Sequence, residues 1–132
     1  FPAASEVHCR PFESCTDGLN LSPNACVVIA TRGHQHDELA LSRALDSSAG
    51  YIGLIGSRGK IGAILKNLRS RGAEASITER VRAPIGIPIG SRSPEEIAIS
   101  IAAELICYHR KPETRGTPGT AAANLPARET QD

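Results

Sequence analysis

The segment at residues 51–60, YIGLIGSRGK, constrains the fold of this chain more than any other. It passes from five mostly apolar residues directly into a glycine-rich turn, and Ile61, Ile64, Leu65 and Leu68 then follow at the spacing of one helix face. This order predicts a buried strand, a tight turn and a helix. Such a turn places free backbone N–H groups at the start of the helix, where the helix dipole favours an anion.

Basic residues strengthen the prediction of an anion site at this turn. Arg58 and Lys60 follow Gly56 and Ser57 directly. The pattern is not a P-loop, because position 54 is leucine and position 61 is isoleucine, and the glycine spacing is not that of a dinucleotide-binding loop. The alternative is an ordinary strand-to-helix connection with solvated basic side chains.

Composition limits the class of protein. The 132 residues indicate one domain, at residues 1–111, and a Pro-, Gly-, Thr- and Ala-rich segment at 112–132 that reads as a flexible tail. A net charge of +1 and only four aromatic residues argue against a nucleic-acid-binding surface. Because no apolar run approaches the roughly 20 residues of a membrane span, we expect no membrane association.

The four cysteines are not spaced as metal ligands. Cys9, Cys15, Cys26 and Cys107 form no C-x-x-C pair. Cys26 and Cys107 fall in apolar segments, where cysteine is usually buried. Reduced thiols in the cytoplasm are therefore expected, with no metal site.

The middle of the chain alternates strands with helices. Residues 26–30, CVVIA, predict a strand covered on both faces of a parallel sheet. A helix follows, with Asp37 and Glu38 in its first turn and an inner face formed by Ala40, Leu41, Ala44 and Leu45. After the second strand, a helix over about 60–71 ends at Gly72. The fold class is therefore α/β, a parallel sheet with flanking helices.

The flanking segments are less regular, apart from one helix. Residues 7–9 could form a short strand, Ser76 and Glu79 resemble a capping box, and two prolines exclude a regular helix from residues 83–90. A final helix begins with Ser93 as N-cap and Glu96 completing a capping box. Its predicted buried stripe comprises Ile97, Ile101, Leu105 and Tyr108, with Ala98 and Ala102 beside it.

Two loops should meet at one edge of the sheet. Ligands of open parallel sheets bind beyond the carboxyl ends of the strands, and residues 31–37 and 56–60 both follow such ends. The candidate binding residues are Thr31, Arg32, His34, Asp37, Gly56, Ser57, Arg58 and Lys60. Alternatives remain for each: Arg32 and Lys60 as solvated cations, Asp37 as a partner of its helix dipole, and His34 as a general base or an ordinary polar residue.

Four motifs in order resemble one known family. They are TRGHxxD at 31–37, YIGLIGSRxK at 51–60, APIGxxIG at 83–90 and SPEEIAxSIxAE at 93–104. The sequence is similar over about residues 1–110 to the XdhC/CoxI type of accessory factor, which serves xanthine dehydrogenase and carbon monoxide dehydrogenase. The resemblance implies a Rossmann-type domain.

The resemblance also implies a function. Proteins of this family bind the molybdenum cofactor (molybdopterin), a pterin that carries phosphate, and act as chaperones that assist its sulfuration and insertion into molybdenum hydroxylases. By analogy, the two loops would hold pterin phosphate or a nucleotide, without a catalytic residue. The alternatives are an NAD(P)- or nucleotide-dependent oxidoreductase and a non-catalytic module that docks on the hydroxylase.

The chain departs from the family pattern at its start. Relative to the family pattern, we expect this chain to lack the opening strand, glycine-rich turn, helix and second strand of the Rossmann domain, and also a separate N-terminal domain with a cysteine-bearing motif. We therefore expect a partial doubly wound domain that begins partway through a larger protein. Its exposed sheet edge would favour a homodimer or larger homo-oligomer.

Overall fold

The computed structural model describes residues 1–74 and 80–110. The capping box predicted at Ser76 and Glu79 and the tail predicted at 112–132 lie outside the described residues.

A three-stranded parallel sheet forms the centre of the fold. Its strands are β1 (Cys26–Ile29), β2 (Tyr51–Leu54) and β3 (Val81–Arg82), in the order β1-β2-β3. Cys26 lies opposite Tyr51, and Ile52 lies opposite Val81. The α/β fold class is therefore confirmed, as are the two strands expected from the apolar runs. The third strand, two residues long, was not predicted.

Two helices cover one face of the sheet. They are α1 (His34–Leu45) and α2 (Arg58–Ser70). The four predicted inner residues of α1 are all buried, and they pack with β-strand residues of the same face, Ile29, Ile52 and Leu54. Ile61, Ile64 and Leu68 of α2 complete this core, so both helical patterns are confirmed. Only Asp37 of the two expected acidic residues lies in the first turn of α1.

The third helix, α3 (Pro94–Arg110), lies against the opposite face. Its capping box forms as predicted: the Glu96 amide donates to Ser93 Oγ at 3.3 Å, and the Ser93 amide donates to a Glu96 carboxylate oxygen at 3.1 Å. Ile101 and Tyr108 pack with Tyr51 and Ile85 in a second apolar cluster.

The buried stripe of α3 differs from the predicted one. Ile97, Ala98 and Ala102 are exposed, and Leu105 is only half-buried. The buried residues are Ser100, Ile101, Glu104 and Tyr108. The apolar pattern was misleading because this helix covers a sheet of three short strands, which reaches only part of its surface.

The sheet is covered unequally on its two faces. β2 is buried at all four positions, whereas Val28 of β1 is 40% exposed and Ile29 is 4% exposed. The expectation that the first strand is covered on both faces is therefore wrong. β1 is an edge strand within the described sheet, and Val28 points to the face that α3 covers only in part.

The N-terminal segment packs on α1 without adding a strand. Residues 7–9 are not in a strand, contrary to expectation. A single turn of 3-10 helix (Phe12–Ser14) follows, and the Phe12 ring stacks on His36 with centroids 4.6 Å apart. None of the four cysteines forms a disulfide, and Cys26 is half-buried and Cys107 exposed, whereas both were expected to be buried.

Two local devices close the ends of α1 and α2. The guanidinium of Arg80 donates to the carbonyl oxygens of Leu45, Ser47 and Ala49 at 3.3, 3.2 and 2.8 Å, which joins the end of α1 to the start of β2. Gly72 has a φ of +97° and ends α2 as predicted. Within the described ranges, no helix is both long and apolar enough to span a bilayer.

Candidate functional site

The two predicted loops do meet at one edge of the sheet. Because β1 and β2 are parallel, the residues that follow Ile29 and Leu54 leave the sheet on the same side. The pairing continues one residue into the loops, where the Ile55 amide donates to the Ile29 carbonyl at 3.0 Å. Backbone hydrogen bonds alone therefore fix the starts of the two loops relative to each other.

Asp37 is the side chain that ties the loops together. It lies in the first turn of α1 and is fully buried. Thr31, from the loop after β1, donates its hydroxyl to Oδ1 at 2.7 Å. Lys60, from the first turn of α2, forms an ion pair with Oδ2. A buried carboxylate requires such partners, since burial without them is costly.

This arrangement extends what the sequence indicated for three of the candidate residues. Thr31 also accepts a hydrogen bond from the Gly33 amide at 3.3 Å, which fixes the loop just before α1 begins. Favouring a helix dipole is therefore not the only role of Asp37. Lys60, with 30% of its side chain exposed, directs its charge to a buried carboxylate.

The start of α2 has the geometry of a capped but open helix end. Ser57 is the N-cap, in an extended conformation, and its Oγ accepts from the Lys60 amide at 3.3 Å. Helix α2 begins at Arg58 rather than near residue 60, so Arg58 is its first residue. Apart from the chain neighbours of Gly59 and the backbone of its own helix, no described atom lies within 4 Å of the position that a Cβ would take there. A Cβ at Gly56 would lie 3.4 Å from the Ile61 and Lys60 side chains.

Three further candidates surround this buried centre. Arg32, His34 and Arg58 are all exposed at the same edge. In the part of the chain that the structure describes, no polar contact joins them to Asp37, Thr31 or Lys60. The edge thus combines a neutralised buried group with exposed cations and an imidazole, which can contact an anionic ligand from solvent.

A second buried polar network was missed by the sequence analysis. Glu104 on α3 accepts from the Tyr51 hydroxyl at 2.9 Å and from the Gly86 amide. The Arg82 guanidinium lies over the rings of Tyr51 and Tyr108, 5.6 and 5.8 Å from their centroids. The sequence did contain one signal for this network. Glu104 is a charged residue three positions after Ile101, so it lies beside the predicted apolar stripe of the helix.

The pKa of Tyr51, a member of this network, lies well above the ordinary value for tyrosine. Burial of the hydroxyl is the main cause, and the Glu104 carboxylate adds to it through its charge and its hydrogen bond. Tyr51 stands at the start of β2, on the face covered by α3, so the network lies away from the two-loop edge. We therefore assign it to the packing of α3.

Two grooves of the described surface contain none of the candidate binding residues of this edge. One of about 350 Å³ lies between the later turns of α1 and α2, where it is lined by Glu38, Ser42, Leu68 and Arg71 among others. Arg71 pairs with Glu38 across it at 3.0 Å. Neither of these two grooves therefore forms part of the candidate site.

Comparison with known proteins gives a family match over most of the chain. A family model described as the XdhC Rossmann domain matches residues 1–105. An uncharacterized protein of Escherichia coli, YqeB, is 33% identical over 105 residues, which are 80% of this chain and 19% of that protein. A Bacillus subtilis protein named as a probable xanthine dehydrogenase subunit is 29% identical over 106 residues, covering 80% of this chain and 30% of that protein.

A crystal structure shows the same fold. A chain described as a xanthine dehydrogenase from Bacillus halodurans superimposes with a TM-score of 0.66 and 31% identity, covering 85% of this chain and 32% of that one. The present chain therefore spans between about a fifth and a third of the length of the proteins that it resembles.

Proposed function

The chain belongs to the XdhC Rossmann domain family, and from this premise we propose that it acts as an accessory factor for molybdenum hydroxylases. In this role it binds the molybdenum cofactor and assists the sulfuration and insertion of that cofactor. The protein works in the cytoplasm as a chaperone, with no turnover of its own.

The names of two similar proteins support the link to a hydroxylase. The Bacillus subtilis relative is named as a probable subunit of xanthine dehydrogenase, and the Bacillus halodurans structure is described as a xanthine dehydrogenase. Because this chain covers only about a third of each, it corresponds to one portion of those proteins. We propose a hydroxylase of the xanthine dehydrogenase type as its partner.

The observation that carries the proposal is the two-loop edge built on Asp37. Through Thr31 and Lys60, this carboxylate fixes both loops relative to each other before any ligand arrives. A preformed edge lowers the entropy that a ligand would otherwise lose by ordering the loops. The phosphate of a pterin cofactor fits the start of α2, where the space beside Gly59 is open and the helix dipole favours negative charge.

The structure suggests a division of roles among the basic residues. Lys60 is paired with a buried carboxylate, so its charge is largely neutralised before an anion approaches. Arg58 is exposed at the first position of α2 and can offer a bidentate contact to phosphate. We therefore propose that Arg58 contacts the phosphate, with Arg32 and His34 nearby, while Lys60 and Asp37 hold the loops in place.

Titration with molybdenum cofactor at low and high salt tests this function. We expect binding that weakens as salt increases, because exposed charges are screened. Arg58→Ala should lower affinity about tenfold, as expected for the loss of one charge-assisted hydrogen bond. Arg69→Ala is the matched control, since Arg69 lies in the last turn of the same helix, and it should bind like the unaltered chain.

Two results would contradict the proposal. The first is a folded chain that does not bind the cofactor, and the second is binding that Arg58→Ala leaves unchanged. If a cofactor-free chain still captures the hydroxylase, the docking-module alternative is favoured. Reducible nicotinamide bound to the purified chain would instead favour an oxidoreductase.

A further inference from the structure

Helix α3 carries an apolar stripe on the side that faces away from the sheet. Its buried residues, Ile101, Glu104 and Tyr108, lie along one side. Ile99 and Ile106 project on the opposite side and are 63% and 54% exposed. Ala102, also exposed, stands between them, so the spacing from Ile99 is three residues and then four. Such spacing is that of a helix seam that packs against another helix.

The ends of this stripe carry opposite charges. Glu95 lies four residues before Ile99, and Arg110 lies four residues after Ile106, and both are exposed. The stripe therefore runs from an acidic end through an apolar centre to a basic end. A helix of this kind is complementary to itself in the antiparallel direction, because each end then meets the opposite charge.

We propose that a second copy of this chain packs on the outer stripe of α3, with the two helices antiparallel about a two-fold axis at Ala102. In this arrangement Ile99 of each copy lies opposite Ile106 of the other. Glu95 of each copy lies beside Arg110 of the other. The small side chain of Ala102 allows the two helices to approach closely at the axis. An interface of this kind is isologous, as in most homodimers.

The residues of the proposed interface are not those that pack α3 against the sheet. The inward side of α3 already holds Glu104 and Tyr108 against the sheet, and among the described residues the outer stripe is exposed. A single helix pair is smaller than the roughly 800 Å² per partner of a standard interface. We therefore expect a dimer that dissociates in the micromolar range and whose population depends on concentration.

Sedimentation velocity of the 132-residue chain across a range of concentrations tests the proposal. Ile106→Lys should weaken dimerisation at least about tenfold, because it places a charge in the apolar centre. Ile89→Lys is the matched control: Ile89 is also 54% exposed but lies outside α3. It should leave the dimer unchanged. Circular dichroism of both variants confirms that the fold is retained.

Charge reversal tests the antiparallel direction by itself. Glu95→Arg and Arg110→Glu should each weaken the dimer, because each places like charges together, and the double variant should restore it. A chain that remains monomeric at every concentration would overturn the proposal. A dimer that Ile106→Lys leaves intact would also overturn it. So would a monomeric chain that loses its capture of the hydroxylase on Ile106→Lys, because the outer stripe would then bind the hydroxylase and not a second copy.

Discussion

At the scale of single residues, the buried pair between Asp37 and Lys60 is the interaction on which the candidate site depends. Asp37 is fully buried, and Lys60 reaches it from a different helix. A carboxylate in this position is tolerated only while its charge is compensated. The same contact that stabilises the fold therefore also sets the distance between the two loops.

Lys60→Met should destabilise the fold by about 3 kcal/mol, because it removes the cation that compensates the buried carboxylate of Asp37. Urea unfolding measures this loss. The double variant Asp37→Asn with Lys60→Met should lose less stability than the sum of the single changes, which shows that the two side chains are coupled.

Arg71→Met is a control of the same chemistry in a more exposed setting. Arg71 pairs with Glu38 at 3.0 Å, but 72% of its side chain is exposed. Its loss should lower stability by less than about 1 kcal/mol. A Lys60→Met variant as stable as Arg71→Met would show that the buried pair does not hold the edge together.

Residue-level prediction succeeded where the information was local. Thr31, Asp37 and Lys60 were identified because each follows the carboxyl end of a strand, and the structure joins all three. Their mutual contacts could not be predicted, since they depend on how closely α1 and α2 approach. Glu104 was missed for the same reason: its partners, Tyr51 and Gly86, are distant in sequence and meet it only after folding.

At the scale of elements, the capping box of α3 contributes to stability in a way that depends on pH. Glu96 accepts hydrogen bonds from the backbone amides of Arg92 and Ser93. These bonds favour the ionised carboxylate, and they lower the pKa of Glu96 below its ordinary value. The contribution is therefore fully present above the ordinary pKa of glutamate, and it is lost as the pH falls through the lowered pKa.

Replacing Glu96 by glutamine should lower the melting temperature at neutral pH. The amide can still accept a hydrogen bond, but it carries no charge to attract the N–H groups. As the pH falls through the lowered pKa of Glu96, the difference from the unaltered chain should narrow, because the native carboxylate is then protonated as well. Thermal unfolding at several pH values measures it.

A distant glutamate provides the control for this pH effect. Glu13 is exposed in the 3-10 turn near the N-terminus. Glu13→Gln should change the melting temperature little at any of these pH values. A difference for Glu96→Gln that stays constant with pH would contradict the role of its charge.

The elements that sequence predicted are those with signals inside their own residues. Ser93 and Glu96 define the start of α3, and Gly72 defines the end of α2. β3 lacks such a signal, because its two residues are too few to show a period. Its place in the sheet comes from pairing with β2. Arg80, which bonds three carbonyls around the end of α1, is likewise defined by tertiary structure.

At the scale of the whole molecule, the described fold is a sheet with one full and one partial cover, and β1 forms its edge. This agrees with the family comparison, in which the chain spans a portion of longer proteins. The apolar run CVVIA predicted two-sided burial because such runs are typical of strands inside complete parallel sheets. In the described part of the chain, helices α1 and α2 bury the face of β1 that carries Ile29, whereas the face that carries Val28 is only partly covered.

Neighbouring residues of β1 offer a direct test of this one-sided sheet. Ile29→Ala should reduce the free energy of unfolding by about 2–4 kcal/mol, because Ile29 is 4% exposed in the main core. Val28→Ala should reduce it by less than about 1 kcal/mol, since Val28 is 40% exposed on the other face. Urea unfolding of both variants at two protein concentrations decides the matter. Equal losses would show that the face of Val28 is covered in solution. If the loss for Val28→Ala grew with concentration, the cover would be another copy of the chain.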